Sequence, residues 1–350
     1  MKVAIVTLVG DFNYGNRLQN YALQEVLKSL GVEVLTVDNP SISITQCLRE
    51  RLVERVNGKR QLKSFGDLRR EKSLRNFTRQ YIHMAKADIT SYDFDYFVVG
   101  SDQVWNPSFW EKNTECYSAQ RYLLENVEAS KRVSYAASFG IDKLNDFWVK
   151  VFQKELSVFH AISVREVSGA KIVDDLCGKK AEVVLDPTLV LSKEKWNQMA
   201  VDVQEDPYIL AFFLGEIAQQ KYEYIDEISR KNGYKIINMS DKKNCYYGCS
   251  PEKFLGLIKS AKLVLTDSFH ATVFSLIFHT PFLHLTREQN NYCKMSGRLE
   301  TLLSMVDMTN RFDNVKLDNP FSCEFDNVDL VIDEKRKKSV YFLRNALGYE

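Results

Sequence analysis

The sequence holds almost no excess of charge of either sign. Lys and Arg number 47 against 46 Asp and Glu, a formal net charge of +1. No global basic field exists to gather nucleic acid, so no nucleic-acid partner is expected. Long apolar runs are missing too. No stretch reaches the roughly 18 apolar residues of a membrane span, and the opening MKVAIVTLVG runs straight into a strand pattern without the apolar core of a secretory leader. The expected location is cytoplasmic. The seven cysteines, at 47, 116, 177, 245, 249, 293 and 323, are odd in number and scattered, which argues against a disulfide framework. Cys245 and Cys249 form the one close pair, but they lack zinc-knuckle spacing, a second pair and a histidine partner, so no metal site is expected. No unit recurs at a short fixed period, which argues against a solenoid.

What is present is an ordinary globular composition, 45% hydrophobic, 12% aromatic and 27% charged. At 350 residues the chain exceeds one ordinary core and points to about two domains. Residues 2–8 read as a buried parallel strand, 10–17 as a Gly- and Asn-rich loop, and the helix after it as starting near Arg17 and ending at Gly31. A strand at 32–37 completes a βαβ unit. The loop lacks both the dinucleotide fingerprint and a Walker ending, so neither a nicotinamide nor a nucleoside triphosphate is favoured. Further strands are expected at 95–99, 132–138, 161–164 and 181–185, with a helix at 143–157. Alternation then restarts, with strands at 208–214, 234–238, 263–266 and 282–285 and a last helix at 335–347. The predicted fold class is α/β, with two doubly wound Rossmann-like domains facing a central cleft: residues 1–190, residues 191–333 and a C-terminal helix in 334–350.

The stretch 263–283, LVLTDSFHATVFSLIFHTPFL, organises the functional reading. A short strand breaks at Thr266-Asp267-Ser268 and resumes as a helix whose first turn holds His270, at the kind of strand end where open α/β sheets bind ligands. The plainer alternative is that Asp267 or Ser268 only caps the helix. After the strand at 95–99, Ser101, Asp102, Gln103 and Trp105 offer hydroxyl, carboxylate, amide and a stacking surface, the groups a sugar site uses. The alternative there is an Asx turn with Trp105 buried. Arg165 ends the strand at 161–164 and suits carboxylate or phosphate, although a salt bridge to Glu166 or Asp186 would also explain it. In the first loop, Asn13, Gly15 and Asn16 are candidates for substrate contact, or Gly10 and Gly15 only make the turn. A basic run, with Arg49, Arg51, Arg55, Lys59, Arg60, Lys63, Arg69, Arg70, Lys72, Arg75 and Arg79, reads either as a solvated helical face or as a contact with anionic lipid headgroups, at the inner face of the cytoplasmic membrane, or with a diphosphate-linked acceptor.

Six motifs in order resemble the polysaccharide pyruvyl transferase family, whose fold is GT-B-like. They are GDFNYGNRLQNYALQ at 10–24, VVGSDQVWNP at 98–107, SVRE at 163–166, LDPTLVL at 185–191, TDSFHA at 266–271 and GRLETLL at 297–303. The resemblance implies transfer of the enolpyruvyl group of phosphoenolpyruvate to two hydroxyls of one sugar, giving a pyruvate ketal and phosphate during capsule or other surface-polysaccharide assembly. The acceptor would be a nucleotide- or lipid-linked saccharide, phosphoenolpyruvate would be the donor substrate, and no cofactor is implied. The first domain would be the acceptor side, the second the donor side, and the last helix would pack back on the first domain. His270 corresponds to the family's active-site histidine and Arg165 to its anion-binding arginine. Asn13, Asn16 and Asp102 would orient the diol. Many members have Arg-Leu just before that histidine, where this chain has Ser268-Phe269; Arg287, Arg298 or the helix terminus would have to replace the missing charge. A GT-B-type glycosyltransferase using a nucleotide sugar and a non-catalytic glycan-binding protein are the competing readings.

Overall fold

The computed structural model describes residues 1–10, 13–37, 63–85, 93–112, 116–288 and 297–349. Two all-parallel sheets carry it. The first uses β1 (Lys2–Val6), β2 (Glu33–Thr36), β3 (Tyr96–Gly100), β4 (Arg132–Ala137), β5 (Ala161–Val164) and β6 (Glu182–Val183) in the order β2-β1-β3-β4-β5-β6. The second uses β7 (Tyr208–Phe212), β8 (Lys235–Asn238), β9 (Leu263–Thr266) and β10 (Phe282–His284) in the order β10-β9-β7-β8. The central strands read KVAIV, YILAF and LVLT because parallel strands are covered on both faces, and β7 and β9 are buried throughout. In each sheet the chain winds outward from a central strand and then crosses back. The order therefore reverses between β1 and β3 in one sheet and between β7 and β9 in the other, the two crevices where such sheets hold ligands. The arrangement is the expected α/β pair of doubly wound units.

Several boundaries shift from the sequence reading, each for a local reason. The first helix begins at Tyr14 rather than near Arg17, because the Asn13 side chain accepts the Gly15 amide and caps it. β1 ends at Val6, after which the buried Thr7 hydroxyl turns to the Ser101 carbonyl. β6 shrinks to Glu182–Val183, and the Leu185 amide leaves the ladder for the Ser339 hydroxyl. The last helix starts at Val328. Helices Val167–Cys177 and Pro187–Val190 have no counterpart in the sequence reading; the second is a single turn that Asp186 caps with Pro187 at its first position.

The two sheets share one apolar core. It runs from Val3 and Ile5 through Leu18, Leu23 and Leu27 of the first helix to Leu210, Phe254, Val264 and Phe274 beyond the junction, and on to Phe342 and Leu343 of the last helix. That helix lies against the first unit: Arg336 donates to the Leu189 carbonyl and Phe342 sits 6.5 Å from Tyr135. The helix Phe65–Tyr81 clamps the other side. Its Asp67 carboxylate accepts from Lys242 at 2.9 Å and from Tyr247 at 2.7 Å, Arg69 and Ser73 donate to the carbonyls of Asn244 and Gly248, and the Arg70 guanidinium lies 4.8 Å over the Tyr14 ring. Of the basic run, Arg69 and Arg70 tie the two units together, Arg70 lying over the Phe212 and Tyr247 rings as well, while Lys63 and Arg75 both pair with Glu71. Arg49, Arg51, Arg55, Lys59 and Arg60 lie outside the described residues. An interface this apolar and this interlocked resists free rocking of the domains.

Candidate active site

Both crevices open onto one cavity of about 210 Å³. Asn13 enters it after β1, Asp102 and Gln103 after β3, Leu214 after β7, and Asp267, Ser268, Phe269 and His270 after β9; His284, Arg287, Arg298 and Leu299 also line it. His270 sits in the first turn of the helix Phe269–Phe278, which Ser268 caps by accepting the Ala271 amide. Its ring rests on the first turn of the helix Tyr14–Ser29. A Cβ on Gly15 would fall 2.1 Å from its Nδ1, so only glycine lets the two helices approach this closely. Two helix N-termini therefore meet at His270, and both favour negative charge there.

A buried ion pair supports the histidine. Asp186 Oδ2 accepts from Arg165 Nη1 at 2.5 Å and from the Ser101 hydroxyl at 2.8 Å, and lies 3.7 Å from His270 Nε2. Its Oδ1 accepts from the amide and hydroxyl of Thr188. Burial works to raise the carboxyl's pKa, but His270, Arg165 and Thr188 outweigh it and hold the group well below the usual carboxylate range. For Arg165 burial acts to lower the pKa, and Asp186, Asp102 and Glu166 more than offset it, so the guanidinium stays charged. Its Nε and Nη2 atoms, like His270 Nε2 and Gln103 Nε2, are buried and have no hydrogen-bond partner among the described residues. A ligand could satisfy these groups. Phe269 lies between two cations, 4.5 Å from the Arg165 guanidinium and 5.5 Å from that of Arg298.

Other candidates serve structure first. The Asp267 carboxylate accepts the amides of Leu214 and Gly215 and pairs with Arg287, locking the β7 and β9 loops together; burial leaves its pKa raised despite that arginine. Asp102, at a φ of 67°, accepts the Gln103 amide in a tight turn, with Arg165 at 3.6 Å and Arg298 at 3.8 Å. Ser101 is fully buried on Asp186 rather than in the cavity. Asn16 does not line the cavity, and its buried Oδ1 has no hydrogen-bond partner among the described residues. Trp105 is no stacking platform: it is fully buried, donates to the Tyr122 carbonyl and packs on Phe139 and Phe159. Of the two partners expected for Arg165, Asp186 is the one engaged. Glu166 instead accepts from Ser138, Phe139 and Gly140.

The sequence reading did not assign Asp186 a part in the site, nor did it single out His284. The first carried a usable signal, an Asp-Pro at a strand end, where an N-cap carboxylate faces the crevice. His284 is a β10 residue, stacked on Phe312 at 5.6 Å and 3.2 Å from the Thr272 hydroxyl; burial pushes its pKa down to about 3, so it is neutral. Among the described residues no group of three or more His, Cys, Asp or Glu is arranged to hold a metal, and no helix is long and apolar enough to cross a membrane.

Among solved structures, the chain is similar to UDP-GlcNAc 2-epimerase from Neisseria meningitidis, with a TM-score of 0.41 and 11% identity over 97% of this chain and 100% of that one. A UDP-N-acetylglucosamine 2-epimerase from Rickettsia bellii gives 0.47 and 10% over 99% and 97%. MurG from Acinetobacter baumannii gives 0.36 and 11% over 99% and 94%. No curated protein matches the sequence. The sequence model of the polysaccharide pyruvyl transferase family matches residues 13–289, from the cap of the first helix to just past Arg287, and the chain belongs to that family of transferases.

Proposed function

We propose that the protein transfers the enolpyruvyl group of phosphoenolpyruvate to two hydroxyls of one sugar, forming a pyruvate ketal and releasing phosphate in surface-polysaccharide assembly. The work would take place in the cytoplasm or at the inner face of its membrane, on a nucleotide- or lipid-linked acceptor. The observation that carries the reading is the junction of His270 with the Arg165–Asp186 pair, beside a second guanidinium from Arg298. Protonation of the donor's methylene carbon creates an oxocarbenium-like centre. One sugar hydroxyl adds to it and gives up its proton. Phosphate then leaves with its bonding pair, and the second hydroxyl closes the ring as its proton departs. His270 is suited to these transfers because imidazole gives and takes protons near neutral pH. Arg165 and Arg298 hold the carboxylate and phosphate where water is excluded. Flanking Phe269 as they do, these two cations supply positive charge where many relatives have arginine next to the histidine.

The test pairs binding with turnover. Phosphoenolpyruvate should raise the melting temperature, and incubation with a panel of sugar acceptors should yield phosphate and a ketal. Stabilisation by a nucleoside diphosphate with glycosyl transfer, and no reaction with phosphoenolpyruvate, would instead establish the glycosyltransferase reading; stabilisation by free saccharide alone would establish a binding protein.

A further inference from the structure

A second cavity, of about 380 Å³, lies beyond the wall formed by Phe269 and Arg298, which line both spaces. Its chemistry differs from that of the first. Val184, Leu185, Leu189, Leu302 and Met305 give it an aliphatic lining, and Val167 and Val183, 62% and 42% exposed, continue that surface toward solvent. Among the described residues four cations, Arg165, Arg298, Lys335 and Lys338, line the same space against one carboxylate, Asp186. Lys338 is paired with Glu334, while Lys335 forms no salt bridge among the described residues.

We infer that this cavity is a subsite for an aliphatic chain joined through a phosphate to the sugar acceptor. The inference rests on the acceptor reading above and adds where the acceptor's carrier goes. Lys335 and Lys338, the two cations the donor does not use, suit the phosphate, and the aliphatic lining suits the chain. A nucleobase fits the lining poorly, because its edge needs hydrogen-bond partners. The hydroxyls present are engaged: Ser339 donates to the Lys335 carbonyl and accepts the Leu185 amide, and Thr301 donates to the Gly297 carbonyl and accepts the Val167 amide. The Asp186 carboxylate is likewise taken by Arg165, Ser101 and Thr188.

Titration calorimetry with n-alkyl phosphates from butyl to decyl, below micelle-forming concentrations, tests this without requiring turnover. Affinity should rise by about fourfold per added methylene until the cavity is full. Val183→Glu, at an exposed position that folding tolerates, should abolish the chain-length dependence, and Lys335→Glu should weaken every member by about tenfold. Binding that ignores chain length, a chain-length dependence that survives Val183→Glu, or decyl phosphate that uridine diphosphate displaces as readily as butyl phosphate would overturn the subsite. Alkyl-phosphate binding in a protein that never consumes phosphoenolpyruvate would leave the subsite standing and remove the transfer reaction. Turnover on chain-free and chain-bearing acceptors with equal KM would do the reverse.

Discussion

The Arg165–Asp186 pair offers the most quantitative handle on the site. Its side chains are 2% and 0% exposed, so removing either charge leaves the other buried. Breaking such a pair costs about 3–5 kcal/mol, whereas removing both partners is far milder. Asp186→Asn keeps the shape but sets an amide against the donors of Arg165 and Ser101, which now point at it. Arg165→Met leaves the carboxylate with Ser101 and Thr188 only among its strong donors. Each single variant should lose about 3–5 kcal/mol in urea unfolding at pH 7, and the double variant no more than the worse single, a coupling of about 3 kcal/mol. The sign with pH is fixed by the depressed Asp186 pKa. Its stabilisation is present above the unfolded carboxyl's pKa and is lost as pH falls toward the folded one, so the coupling should shrink in acid. Single costs that add in the double variant to within about 0.5 kcal/mol would refute the buried pair.

His270→Gln should cut turnover by roughly 100- to 10,000-fold with little change in melting temperature, and near-native rates across pH 6 to 9, where imidazole titrates, would remove it from the mechanism. Gly15→Ala puts a methyl into the His270 ring, so turnover should fall by about 100-fold or more although alanine favours a helix; full activity would contradict the packing. His284, with a folded pKa near 3 against an ordinary 6.5, disfavours protonation in the native state, so stability is lost as pH falls below the unfolded value. That loss amounts to about 2 kcal/mol between pH 7 and pH 5 from this group alone, and His284→Gln should flatten the urea-midpoint profile there; an unchanged slope would count against it.

The winding of the sheets was legible because parallel strands leave continuous apolar runs and turns leave Gly, Asn and Asp at their ends. Residues 263–266 and 269–278 show this, with the break at Asp267-Ser268 marking the functional turn. Caps were harder: Asn13 begins its helix from outside the apolar period, and the short helix after Asp186 has too few residues for any period at all. Partnership was harder still. Nothing local says that Arg165 reaches Asp186 rather than the adjacent Glu166, since both carboxylates sit at strand ends and only the packing of the crevice separates them. Trp105 shows the converse, a residue type suited to stacking sugars that the aromatic cluster of Phe139, Phe152 and Phe159 claims instead.

The central claim is that a solvent-derived proton reaches the methylene carbon of phosphoenolpyruvate as the sugar is ketalised. Running the reaction in deuterium oxide and weighing the product tests it directly. The account predicts a sugar heavier by one pyruvic acid less one water, with a single deuteron in the methyl group of the ketal. A ketal whose methyl group carries no solvent deuteron, or a protein that folds, binds phosphoenolpyruvate and forms no ketal with any acceptor, would contradict it.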